Sequence, residues 1–235
     1  MVISDIDIDI VRKDIKNIHL AVYPPHGKVR LAAPKNVSEE TLKLFTISKL
    51  SWIRKQQRKF KSQPRQTSRS YANRETHYFL GRKYLLKVIE GEASAKVAIK
   101  GKSQLVLYTK PKSTVAQRHA ILNEWYREQL KDLVISLCNK WENTIGVSAS
   151  YWGVRQMKTK WGSCNTQSKR ILLNLELAKK PVKCIEYIIV HELIHLLERK
   201  HNDRFLFLMS KYMPQWKSYR EELNRLPVSH VDWEY

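Results

Sequence analysis

Residues 191–201 read HELIHLLERKH, and the reading of this stretch decides what kind of core the chain builds. On an α-helix, residues four apart lie on one face, one turn above the other, so His191 and His195 can aim two imidazoles at a single point. Glu192 directly follows the first histidine. Its carboxylate therefore projects beside that point rather than onto it, as a general base for a metal-bound water should. A catalytic zinc ordinarily takes three protein ligands and leaves a fourth position open. His201 is the natural third, provided the helix ends near Glu198–Lys200 and the chain turns back. H-E-x-x-H arises by chance in roughly half a percent of chains of this length. Chance also does not explain the setting: Ile188, Ile189, Val190, Leu193, Ile194, Leu196 and Leu197 surround the polar residues. Histidines and a glutamate buried among them are costly unless coordinated or paired.

The same spacing occurs in metzincin proteases, but their turn glycine is replaced here by Glu198, and no glycine follows Gly162. The chain must bend differently after Leu197, which argues against metzincin membership. A downstream glutamate, Glu221 or Glu222, is the alternative third ligand.

Outward from the histidines, Pro181 sits where a helix can begin. Asn202 or Asp203 opens a short helix ending near Met213-Pro214, and residues 217–226, KSYREELNRL, suggest one more. Upstream, RILLNLEL and SASYWGVRQM are strand candidates separated by the polar loop KTKWGSCNTQSK. Before them, Leu122, Tyr126, Leu130, Leu133, Leu137 and Trp141 recur at three or four residues, predicting a long amphipathic helix over 113–142. The first half reads mainly as strands: ISDIDIDIV, IHLAVY, KVRLAA, HYFLGRKYLLKVI, AKVAIK and SQLVLYT. A helix starting at Ser38, with Glu39 and Glu40 in its first turn, runs into WIRKQQRKFK. No internal repeat stands out.

Lys+Arg number 43 against 22 Asp+Glu, a net charge of +21. That excess favours polyanionic partners. It concentrates between Glu40 and Glu75, where no acid occurs. Arg54, Lys55, Arg58, Lys59, Lys61 and Arg65, with Trp52 and Phe60 interspersed, are candidate contacts to DNA or RNA. The alternative is a solvated helix face with both aromatics in the core. Three separated cysteines make no disulfide framework. The start MVISDIDIDIVRKD lacks the pattern of a signal peptide, and no apolar run is long enough to span a bilayer. A cytoplasmic protein without membrane association is expected.

The stretches KWGSCNTQSKRILLNLEL and IEYIIVHELIHLLERKHNDRF, with SWIRKQQRKF further upstream, resemble the YgjP-like predicted metal-dependent hydrolases, relatives of the SprT-like zinc peptidases. The shared pattern is W-G-S-C, L-N-x-x-L, H-E-L-x-H and H-[NS]-x-x-F. The resemblance implies His191, His195 and His201 as zinc ligands and Glu192 as catalytic acid/base. It also draws attention to Trp161, Gly162, Ser163 and Cys164. One reading puts them in a substrate cleft; the other is a tight turn at Gly162, a packed indole and a small buried thiol. Cys164 as a fourth zinc ligand would close the site. Asn174 is a further cleft candidate on a flanking strand.

The expectation is therefore an α+β protein. Residues 1–110 form a β-rich region with a basic helix or linker at about 38–74, and residues 111–235 a zincin-like α/β metallopeptidase core with an HExxH helix. One zinc per chain and a protein or peptide substrate follow. The competing class is a basic nucleic-acid-binding protein whose zinc is structural.

Overall fold

Alternation in residues 6–9 buries Ile6 and Ile8 and turns Asp7 outward, as a strand with one covered face requires. The computed structural model describes residues 1–23, 26–62, 69–91, 94–157 and 160–226. It shows a mixed α+β fold in two compact units, Met1–Arg65 and Gln66–His230.

In the first unit, β1 (Val2–Ile3), β2 (Ile6–Lys13), β3 (His19–Tyr23) and β4 (Lys28–Pro34) form a sheet in the order β1-β2-β4-β3. Ser38 caps α1 (Glu39–Ser48), its hydroxyl accepting from the Thr41 amide at 3.2 Å. α2 (Leu50–Ser62) follows. Val29, Leu31, Leu42 and Ile53 join the buried isoleucines in a small core.

The second unit begins with β5 (Thr76–Phe79), β6 (Arg82–Glu90), β7 (Lys96–Lys100) and β8 (Gln104–Thr109), ordered β5-β6-β8-β7. This repeats the first sheet. In each, an antiparallel pair leads into two parallel central strands, with the third strand antiparallel on the far side of the fourth. Each sheet is followed by a helix with a hydroxyl N-cap, Ser38 or Thr114. The repeat is one of topology. Sequences as different as IDIDIVRK and RKYLLKVIE satisfy it, because a strand constrains which face is apolar and not which residue sits there.

α3 (Val115–Ile145) runs from a Thr114–Gln117 capping box to Gly146 in the left-handed conformation, a regular start and stop. Leu122, Tyr126, Leu130, Val134, Cys138, Trp141 and Ile145 are its buried stripe. A second sheet, β10-β11-β9, combines β9 (Tyr151–Arg155), β10 (Gly162–Asn165) and β11 (Arg170–Asn174), with β9 parallel and β10 antiparallel to β11. A 3-10 turn (Leu175–Lys179), α4 (Val182–Ile194), α5 (Asp203–Tyr212) and α6 (Trp216–Arg225) complete the unit. Both sheets, α3 and α4 share one core.

Three expectations change. The shift in character near Pro111 marks the start of α3, whereas the compact units divide between Arg65 and Gln66. Residues 76–109 belong with the second unit because Tyr84, Leu86, Leu105 and Leu107 pack into the same core as α3 and α4. HYFLGRKYLLKVI is a hairpin rather than one strand. It turns at Leu80 and Gly81, both at positive φ (47° and 80°), the backbone of a two-residue hairpin loop. KTKWGSCNTQSK is only partly loop, because Gly162–Asn165 pairs with β11 as an edge strand. Polar residues fit an edge strand, so its composition gives no alternation to read.

The hairpin tip supports the histidine helix. The Leu80 amide donates to Ala178 at 2.9 Å. A Cβ on Gly81 would stand 2.8 Å from Pro181, the N-cap residue of α4.

Candidate metal centre

α4 is apolar nearly all round: Ile185, Ile188, Ile189, Val190, Leu193 and Ile194 are buried, so its orientation is set by the core. It ends earlier than expected, at Ile194, with His195 as C-cap. The next amides bond three residues back, Leu196 to Leu193 at 3.0 Å and Leu197 to Ile194 at 2.9 Å. This tightened turn reverses the chain with no positive-φ residue between 195 and 202, which is how the site dispenses with a glycine.

His201 is then placed by its neighbour. Asn202 caps α5, its side-chain oxygen accepting from the Phe205 amide at 3.0 Å. Serine can do the same, which accounts for the alternatives in H-[NS]-x-x-F. Phe205 is buried, and its ring lies 5.0, 4.8 and 4.7 Å from the rings of His191, His195 and His201. It forms an apolar floor that fixes all three imidazoles. The motif contained this phenylalanine, but only the fold reveals its task.

One ligand nitrogen from each of His191, His195 and His201 falls within 4.8 Å of the others, a group able to hold a metal ion. Nε2 of His191 and Nε2 of His201 are 3.1 Å apart. His195 Nδ1 lies 3.1 Å from the Glu198 carbonyl. A proton on Nδ1 satisfies that carbonyl and leaves Nε2 free for coordination. Burial first, then His195, His201 and Arg220, push the His191 pKa down to about 3, so it is neutral as a ligand must be. Neutral nitrogen donors in a set of three suit zinc.

Glu192 is buried beside this group, and desolvation pushes its pKa up to about 7 against the opposing charge of Lys160. Its carboxylate rests on Gly162. A Cβ there would lie 2.6 Å from Glu192 Oε1 and 2.8 Å from Cγ. Gly162 opens β10 without positive φ, so the glycine serves close approach rather than the tight turn expected of it.

Trp161, Gly162, Ser163 and Cys164 all line the cleft above the histidines, a cavity of about 710 Å³ that also reaches Tyr187 and Arg220. Cys164 is not part of the metal-holding group, and burial followed by Glu192 raises its thiol to about 11. Glu222 pairs instead with Lys183 at 2.8 Å, and Glu221 also stands outside the group. Asn174 corrects another expectation. It is buried, its amide donates to the carbonyls of Met157 (2.9 Å) and Lys160 (2.8 Å), and its oxygen accepts from the amides of Met157 and Glu176. Its side chain is thus committed to Met157 and Lys160, which precede Trp161 and Gly162, and to capping the 3-10 turn at Glu176.

The basic stretch lies on α2 of the first unit. Arg54, Lys55, Arg58 and Lys61 are exposed, and Trp52 is 42% exposed rather than in the core. Arg54 donates to Asp5 at 2.8 Å, and Arg54, Arg58 and Lys61 line a hollow of about 750 Å³ with His26 and Gln57. The Lys59 side chain and Arg65 lie outside the described residues. Among the described residues, no helix is long and apolar enough to cross a membrane.

A triad of imidazoles with a buried carboxylate at the base of an open cleft is the donor set of a metal-binding protein. The chain belongs to the YgjP-like family: the YgjP-like metallopeptidase domain matches residues 16–226. Family membership makes it a hydrolase of the metallopeptidase kind. No curated protein matches the chain. Among solved structures, it is similar to the metallopeptidase zymogen of Pyrococcus abyssi abylysin, at 21% identity over 40% of this chain and 99% of that one, TM-score 0.36. The metallopeptidase zymogen of Methanocaldococcus jannaschii jannalysin gives 21% over 38% and 92%, TM-score 0.35. Likeness at that level carries no weight here; membership rests on the match over residues 16–226.

Proposed function

We propose that the chain is a zinc-dependent peptidase with a zincin-like core, in which His191, His195 and His201 hold one zinc and Glu192 is the general base. The observation that supports this best is the combination in one cleft of three convergent imidazoles and a buried carboxylate, with no fourth protein ligand among the described residues. A structural zinc would be closed by four protein ligands. When bound, zinc supplies Lewis-acid polarisation of the scissile carbonyl and acidifies water. Its charge also favours the carboxylate form of Glu192. Glu192 then takes the proton of the attacking water and passes it to the leaving amine. Gly162 keeps that carboxylate in place, and the His195–Glu198 contact keeps the imidazole in its ligating orientation.

The test is Glu192→Gln, screened with the parent against a peptide library. Zinc content should be unchanged while hydrolysis falls by roughly two to four orders of magnitude. Equal turnover in the variant would remove Glu192 from the mechanism. A parent that holds zinc yet cleaves nothing would favour the structural-zinc reading, in which the cations of α2 recruit nucleic acid.

A further inference from the structure

The acids and bases around the cleft are sorted by face. On the outer side of α4 and α6, Lys183 pairs with Glu222 and Glu186 pairs with Lys140, each at 2.8 Å. The cleft side differs: Lys160, Arg199 and Arg220 line it, and none has an ion pair among the described residues. Among the described residues, the one carboxylate in the lining is Glu192, which is buried and rests on Gly162. The three cations arrive from different directions, Lys160 just before β10, Arg199 in the bend after α4, and Arg220 on α6. Apart from Glu192, the carboxylates of α4 and α6, namely Glu186, Glu221 and Glu222, all lie outside the lining.

From this sorting we propose that the cleft takes peptide segments bearing carboxylates and that Arg220 binds one of them. The inference deepens the peptidase reading and rests on it for the identity of the ligand as a peptide. A guanidinium forks onto both oxygens of a carboxylate, which an ammonium cannot do. Arg220 lines the same cleft as Tyr187, His191 and Glu192. Lys160 and Arg199 add field more than geometry, drawing acidic segments in and opposing basic ones. The carboxylate can be an Asp or Glu side chain or the free end of a chain.

Binding measured apart from turnover tests this. Full-length Glu192→Gln protein, loaded with zinc, is titrated with labelled peptides of one scaffold carrying Glu, Gln or Lys around the centre, each with a free or amidated C-terminus. Glu peptides should bind about tenfold more tightly than Gln peptides, Lys peptides more weakly still, and the gap should narrow with salt. Dependence on the free terminus alone would assign Arg220 to the chain end; dependence on internal Glu would assign it to side chains. Adding Arg220→Gln should remove most of the preference while leaving the Gln-peptide affinity and the circular dichroism spectrum unchanged, and Arg220→Lys should restore only part. Equal binding of Glu and Gln peptides together with no loss on amidating the terminus, or a preference unmoved by Arg220→Gln, overturns the proposal. The two readings fail separately. If the parent cleaves Glu and Gln peptides, with free and with amidated ends, at equal kcat/KM, the peptidase stands and the carboxylate preference falls. If acidic peptides are bound selectively but never cut, the preference stands and the peptidase falls.

Discussion

Gly162→Ala puts one methyl group against the proposed general base. The added Cβ would lie 2.6 Å from Glu192 Oε1, where ordinary contact begins near 3.4 Å, so the carboxylate must retreat by about 0.8 Å. The backbone needs no adjustment, since Gly162 is not at positive φ, and loss of unfolded-state freedom offsets part of the crowding. The histidines are not touched, so zinc content and the melting temperature should stay near the parent's. The loss falls on proton transfer. Misplacement of a catalytic group by about 1 Å costs on the order of a hundredfold, so kcat should drop about 10- to 100-fold, or roughly 1.4–2.7 kcal/mol in the barrier, with KM little changed. The assay is steady-state hydrolysis of a peptide that the parent cleaves, beside metal analysis and a thermal melt. A double-mutant cycle sharpens it: Glu192→Asp shortens the side chain and relieves the contact, so G162A/E192D should be no slower than E192D alone. If Gly162→Ala holds zinc, folds and turns over within about twofold of the parent, the carboxylate does not depend on this glycine and the account of W-G-S-C is wrong.

Metal analysis of His201→Ala should show clear loss of zinc, because two imidazoles alone make a weak site; retention there with loss in Glu221→Ala or Glu222→Ala would move the third ligand onto α6. Changing Lys55, Arg58 and Lys61 to Gln should lower the slope of log affinity for mixed-sequence DNA or RNA against log salt by up to about 2.7, and an unchanged titration makes α2 a solvated face only. His77 is buried, with Nε2 3.1 Å from Glu75 Oε1 yet lacking hydrogen-bond geometry. Burial first, then Arg69, drops its pKa from 6.5 to about 4. The unfolded chain therefore binds the extra proton between those values, and stability present above pH 6.5 is lost as pH falls toward 4, by at most about 3 kcal/mol. Denaturant midpoints of parent and His77→Gln should converge on acidification, and parallel curves would show that this histidine is not desolvated.

Sequence alone determined the parts whose physics is local. H-E-x-x-H in an apolar helix implies two imidazoles on one face whatever surrounds it, because helical spacing follows from backbone geometry. The Ile/Asp alternation of β2, the existence of α3 with Leu122, Tyr126, Leu130 and Trp141 on its buried stripe, and the Asn202 cap were legible for the same reason. Val134 and Cys138, however, take the buried places expected of Leu133 and Leu137, and the helix runs on to Ile145. What depends on groups distant in the chain was decided by tertiary structure. Gly162 matters because β10 passes against Glu192, thirty positions away. Asn174 looked like a cleft residue until its amide proved committed to Met157 and Lys160. Phe205 could have been any buried aromatic until its ring was found beneath three histidines. The repeated sheet stayed hidden because strand order is set by which edges meet, and the residues record only which face is apolar. Arg220 and Glu222 are both charged residues of one short helix. Only the packing of α6 turns the first into the cleft and pairs the second with Lys183.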